Sequence, residues 1–156
     1  MGDYVRTTRE CTLSDMQPAL AAAIRDHLAK YNLEELENAV LYGCETTSTA
    51  RKKGLLRRQP EVVQAAVLLT PGWLLLATGK VGEEPGVLSA RLAALRVQDY
   101  EQSSMYNLIA DTGVNIFGLT TGTSEPGSLF IGLGPEPAAQ KLRQLLKEAL
   151  TGALGP

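Results

Sequence analysis

The segment Val62–Gly79, VVQAAVLLTPGWLLLATG, constrains the fold of this chain more than any other. Two apolar runs rich in β-forming residues flank Pro71-Gly72. Proline presets the first turn position and glycine relaxes the second, so the pair predicts a type II turn. Two-residue hairpin loops favour the mirror-image turns, which predicts a slightly longer or bulged loop. A hairpin this apolar has to be covered by other layers. It is preceded by a compact basic cluster, Arg51, Lys52, Lys53, Arg57 and Arg58.

The flanking sequence supplies those layers. Residues 1–13 read as a loose tail or an added strand. Ser14 offers an N-cap with Gln17 as its capping-box partner, and Pro18 is tolerated in a first turn. Met16, Leu20, Ile24, Leu28 and Tyr31 then follow at helical spacing, predicting an amphipathic helix over about 15–31. Glu34, Glu35 and Glu37 read as a solvated turn or helix end. Residues 38–49 read as one long strand. Further strands are expected at 62–70, 73–78, 87–92, 95–100, 114–120 and 128–133, with a short one at 107–110. A closing helix starts behind Pro137. Ala138, Leu142, Leu145, Leu146 and Ala149 form its apolar face; Gln140, Lys141, Arg143, Gln144, Lys147 and Glu148 form its polar one. No repeat or interior linker divides the chain, so a single domain over 1–156 is expected.

Charge narrows the function classes. The net charge of −2 produces no global field toward nucleic acid or membrane. Five of the fifteen Lys and Arg fall within 51–58, so the remainder of the chain is acidic. Aromatic residues make up only 5%, too few for stacking along a nucleic acid. The apolar hairpin is broken and too short to span a bilayer. Two separated cysteines, Cys11 and Cys44, and a charged N-terminus favour a reducing, cytoplasmic setting with free thiols.

From Asn38 onward the order of elements resembles a pleckstrin-homology-like (PH-like) domain, including its GRAM-type and bacterial relatives. The resemblance is carried by AVLLTPGWLLLATG, GVLSARLAALRVQDYE, VNIFGLT, SLFIGLG and the helix AAQKLRQLLKEAL. It covers roughly residues 38–150 and implies an α+β fold. The implied core is a seven-stranded antiparallel, partly open β-barrel capped by the C-terminal helix. The helix over 14–31 is then an additional N-terminal element. In lipid-binding members, basic residues on and after the first strand hold anionic headgroups, and Arg51, Lys52, Lys53, Arg57 and Arg58 occupy that region. The second strand opens Glu61-Val62-Val63-Gln64 and brings no basic residue to such a site.

The candidate residues are therefore contact residues, with no catalytic set, metal set or cofactor expected. Five basic residues contribute about 1 kcal/mol each beside an anionic membrane, on the order of millimolar affinity. Leu55 and Leu56 could insert into an interface or fold back on the rim. Trp73 could anchor a partner or pack beside a helix. His27 sits at the edge of its helix's apolar stripe, and one His with two distant Cys makes no zinc set. Asp99, Glu101 and Asp111 could group near the fifth strand, or be ordinary surface acids. Gly132-Leu133-Gly134 and Gly79-Lys80 begin phosphate-binding patterns that Pro137 and Val81 break. The expectation is a non-catalytic binding or scaffolding module for a protein segment or an acidic ligand. Anionic-lipid binding through 51–58, self-association into a homo-oligomer, and an enzyme with an unrecognised site stand as alternatives.

Overall fold

A computed structural model describes residues 4–51, 60–119 and 127–150. The predicted hairpin is there, as Val62–Leu69 (β3) and Trp73–Lys80 (β4). Its two-residue loop has no bulge, and Gly72 does not take the positive φ of a type II turn. The reason lies in Thr70. Its amide donates to the Trp73 carbonyl, and its hydroxyl accepts the Trp73 amide at 3.0 Å, replacing one backbone carbonyl.

Antiparallel neighbours extend this hairpin. Tyr42–Ala50 (β2) pairs with β3 and Gly86–Arg91 (β5) with β4. The N-terminal segment becomes a strand, Tyr4–Glu10 (β1), paired along its length with β2. The result is a five-stranded sheet in the order β1-β2-β3-β4-β5. Arg96–Asp99 (β6), Gly113–Leu119 (β7) and Gly127–Gly132 (β8) form a second sheet of three. The α+β class and antiparallel pairing hold. Among the described residues the strands number eight, and no ladder joins the two sheets into a closed barrel.

The period-two alternation of β2, β3 and β4 gives the large sheet two apolar faces. One face presents Ala66, Leu68, Leu75 and Ala77. It is covered by helix Pro18–Lys30 (α1) through Leu20, Ala21, Ile24 and Leu28. The other presents Tyr42, Cys44, Val67, Leu69, Leu74 and Leu76. It is covered by the small sheet and by helix Pro137–Leu150 (α2), through Val114, Ile116, Ile131, Leu142 and Leu146.

Three local expectations are corrected. The capping box at Ser14 and Gln17 does not form; α1 begins at Pro18, and the Gln17 amide donates to the buried carboxylate of Glu45 on β2. That carboxylate also holds Arg9, so β2 supplies the negative charge that a helix N-terminus favours. Residues 34–39 form a 3₁₀ helix, which delays β2 to Tyr42. Residues 107–110 form no strand; 104–107 is a 3₁₀ turn followed by exposed Leu108 and Ile109.

Candidate functional site

The polar end of the large sheet is built around β1. Tyr4, Arg6 and Thr8 alternate on the face that β2 lines with Thr46 and Ser48. Arg6 has a side chain only 11% exposed, which demands satisfied donors. Its Nε donates to Asp111 Oδ1 at 2.9 Å and its Nη2 to Oδ2 at 2.7 Å, a bidentate pair. Its Nη1 donates to Ser48 Oγ at 2.6 Å. The rings of Tyr4 and Phe130 lie 4.9 and 5.4 Å from its guanidinium carbon, adding cation–π attraction. A Cβ at residue 132 would run into the Arg6 guanidinium at Nη1, so glycine there is what admits it.

The segment after β8 wraps the free edge of β1. Glu136 accepts the Thr8 amide at 2.8 Å. The Thr8 hydroxyl accepts the Gly134 amide and shares a hydrogen bond with Thr46. At the strand ends, Glu61 accepts from the Tyr4 hydroxyl at 2.9 Å and pairs with Lys80 at 2.8 Å. That hydrogen bond, together with burial, pushes the Tyr4 phenol up from its ordinary value.

Arg143 of α2 is a second buried guanidinium, although its position in the helix reads as polar. Nη1 donates to Asp99 at 3.0 Å, and Nη2 to Glu101 at 2.9 Å. Lys147 reaches the other Asp99 oxygen at 2.7 Å. The Arg143 Nε is buried without a partner. Burial alone would raise the Asp99 pKa, but the bonds from Lys147 and Arg143 outweigh it and hold the carboxyl below its ordinary value. The carboxylates Asp99, Glu101 and Asp111 thus serve as partners of two buried arginines.

Two recesses flank Arg6. An inner cleft of about 220 Å³ opens between β2–β4 and β8. A wider outer groove of about 580 Å³ runs between β1, residues 101–112 and the start of α2. Arg6, Arg51 and Arg143 line this groove together with Glu101 and Asp111, and Val5 and Tyr106 add apolar surface.

Of the residues singled out from the sequence, Arg51 lies on that groove. Lys52, Lys53, Leu55, Leu56, Arg57 and Arg58 fall outside the described residues. Trp73 lies elsewhere, half-buried against the α1 side of the core with Arg91 over its ring at 4.8 Å. His27 bonds Ser89 Oγ through Nε2 at 2.8 Å. Cys11 and Cys44 are free, buried in different clusters, and pushed up by burial to about 12 and about 11. Among the described residues no three His, Cys, Asp or Glu side chains gather as a metal site, and no helix is long and apolar enough to cross a membrane.

Arg6, Tyr4 and Arg143 were not singled out from the sequence. The alternation of Tyr4, Arg6 and Thr8 marks a strand face, but nothing local points to Asp111, 105 residues away. Comparison with family models, with curated proteins and with solved structures returns no match for this chain.

Proposed function

We propose that this chain is a non-catalytic binding module of PH-like architecture that takes an acidic protein segment into its outer groove. Support for the architecture comes from the element order: four strands β2–β5, three strands β6–β8, then α2, with β1 and α1 as additions. The observation that carries the ligand class is the groove lining. Arg51 lines it beside two arginine–carboxylate pairs, Arg6–Asp111 and Arg143–Glu101, so cationic side chains outnumber carboxylates three to two along the described wall. Arg51 also opens the run that continues in sequence through Lys52, Lys53, Arg57 and Arg58. Beside these charges, Val5 and Tyr106 are 50% and 39% exposed and offer purchase to apolar side chains of the same segment. An extended segment supplies both kinds of contact at alternate positions. A non-catalytic role agrees with thiols held protonated by burial and a histidine tied to Ser89.

Fluorescence anisotropy with a labelled Asp/Glu-rich peptide containing leucines, against its Asn/Gln counterpart, tests this reading. The acidic peptide should bind at least about tenfold tighter at low salt, and added salt should erase most of the difference. Arg51→Glu combined with Tyr106→Ala should weaken it by about tenfold or more. Equal binding of the neutral peptide overturns the proposal.

One observation favours a second reading, attachment to an anionic lipid surface. Met105, Leu108 and Ile109 project from the turn after β6, Leu108 at 77% exposure, close to the groove that Arg51 lines. An apolar projection with a polybasic run forms a two-part membrane signal. Co-sedimentation with anionic vesicles that Leu108→Asp abolishes, without peptide binding, would replace the first reading by this one.

A further inference from the structure

The inner cleft differs in chemistry from the groove beside it. Val63, Ala65, Leu76, Leu129 and Ile131 make its walls apolar. No Asp or Glu is among the described residues that line it. At its polar side stand Ser48, Thr78 and the Arg6 guanidinium, and Arg6 is divided between two environments. Its Nε–Nη2 edge is spent on Asp111, which lines the outer groove and not the cleft. Its Nη1 is turned to Ser48 and Gly132, both on the cleft wall.

Ser48 Oγ accepts from Nη1, so its own proton is available to donate, and Nη1 carries a second N–H. Donors therefore converge at one end of an apolar-walled recess that no carboxylate lines among the described residues. The contacts of the Arg6 guanidinium with the Tyr4 and Phe130 rings, together with the bidentate Asp111 pair, fix those donors in place. We propose that the cleft is a binding site for a small monocarboxylate. Its head is bound by Arg6 Nη1 and Ser48, and its alkyl tail lies against Ala65, Leu76 and Leu129. Size narrows the class. At about 30 Å³ per water-sized group, the 220 Å³ holds about seven such groups. This corresponds to a straight-chain acid of about five or six carbons. The volume is below the usual range for drug-sized ligands.

The site stands independently of the acidic-segment reading, because the two recesses share only Tyr4 and Arg6. The probes are straight-chain carboxylates from about two to about ten carbons, with the matching primary alcohols and alkylammonium ions. Binding is followed by isothermal titration and by amide chemical shifts. Affinity should peak near five or six carbons, the alcohols should bind about tenfold more weakly, and the ammonium ions should not bind. Shifts should centre on Ser48, Ala65 and Thr78. Ala65→Phe fills the cleft without touching the outer groove, and should abolish carboxylate binding while leaving peptide binding intact. Thr78→Leu serves the same purpose should Ala65→Phe fail to fold. Alcohols binding as well as acids, affinity that keeps rising with chain length, shifts centred elsewhere, or no binding at about 10 mM would each overturn the proposal.

Discussion

The two faces of the large sheet are covered in different ways. Toward α1 the contact is apolar throughout: Leu68, Leu75, Ala66 and Ala77 against Leu20, Ile24 and Leu28. Polar groups stand at its margins, among them Glu45 at the start of the helix and His27–Ser89 near its end. The opposite face is divided. Half is a similar apolar core under α2 and β7; the other half holds Arg6, Thr8, Thr46 and Ser48. A helix laid on small and branched side chains fills its face completely. Buried polar groups must instead keep the spacing their hydrogen bonds require. Both recesses beside Arg6 lie at that polar half, so the region built for directional bonds also leaves room for a ligand.

Truncation should expose the contrast. Leu75→Ala, at a fully buried position under α1, should cost about 2–5 kcal/mol in urea unfolding, because a filled face cannot collapse around the gap. On the polar half the cost should depend on which atom is orphaned. Thr8→Val should cost about 1–3 kcal/mol, because the Gly134 amide loses its acceptor in a buried site. Thr46→Val removes a single hydroxyl partner of similar volume and should cost about 0.5–1.5 kcal/mol. Equal losses at Thr8 and Thr46 would mean that the Gly134 amide finds another acceptor, and that the β1 edge is less tightly specified than its geometry implies.

The same contrast explains what was legible in the sequence. The face under α1 was readable because both partners announce themselves locally. Leu20, Ile24 and Leu28 repeat at helical spacing, and the β3–β4 hairpin carries its own turn. The polar half was not, since each part of it draws its meaning from distant residues. β1 is a charged and polar strand that holds its shape by pairing with β2 and by capping from Glu136. Arg143 occupies a solvent-type position in the helical repeat and is buried only because Asp99 and Glu101 are folded against it. The apolar stretch at 107–110 looked like a strand, yet its amides close on Met105 within the turn and leave Leu108 and Ile109 outside. Even the hairpin turn departs from its Pro-Gly signature, because a threonine hydroxyl stands in for a carbonyl.

Acidification should separate the two faces with the smallest effect of the set. Burial, with help from Lys30, lowers the His27 pKa below its ordinary 6.5. The unfolded chain then binds the proton more readily than the folded one. The stabilisation from neutral His27 is complete above about pH 6.5 and is lost as pH falls through and below that value. Asp99, on the small sheet that covers the other face, is also lowered, but from 3.8, so its contribution survives until the pH approaches 4 and is lost below it. Urea midpoints measured from pH 7.5 to 3 should therefore show a shallow early decline and a separate later one. His27→Gln keeps a group able to bond Ser89 and cannot take up the proton, so it should flatten the early decline and leave the later one. A His27→Gln curve parallel to wild type across pH 7 to 5 would remove His27 as the group responsible, and the α1 face would then be as insensitive to pH as its apolar packing suggests.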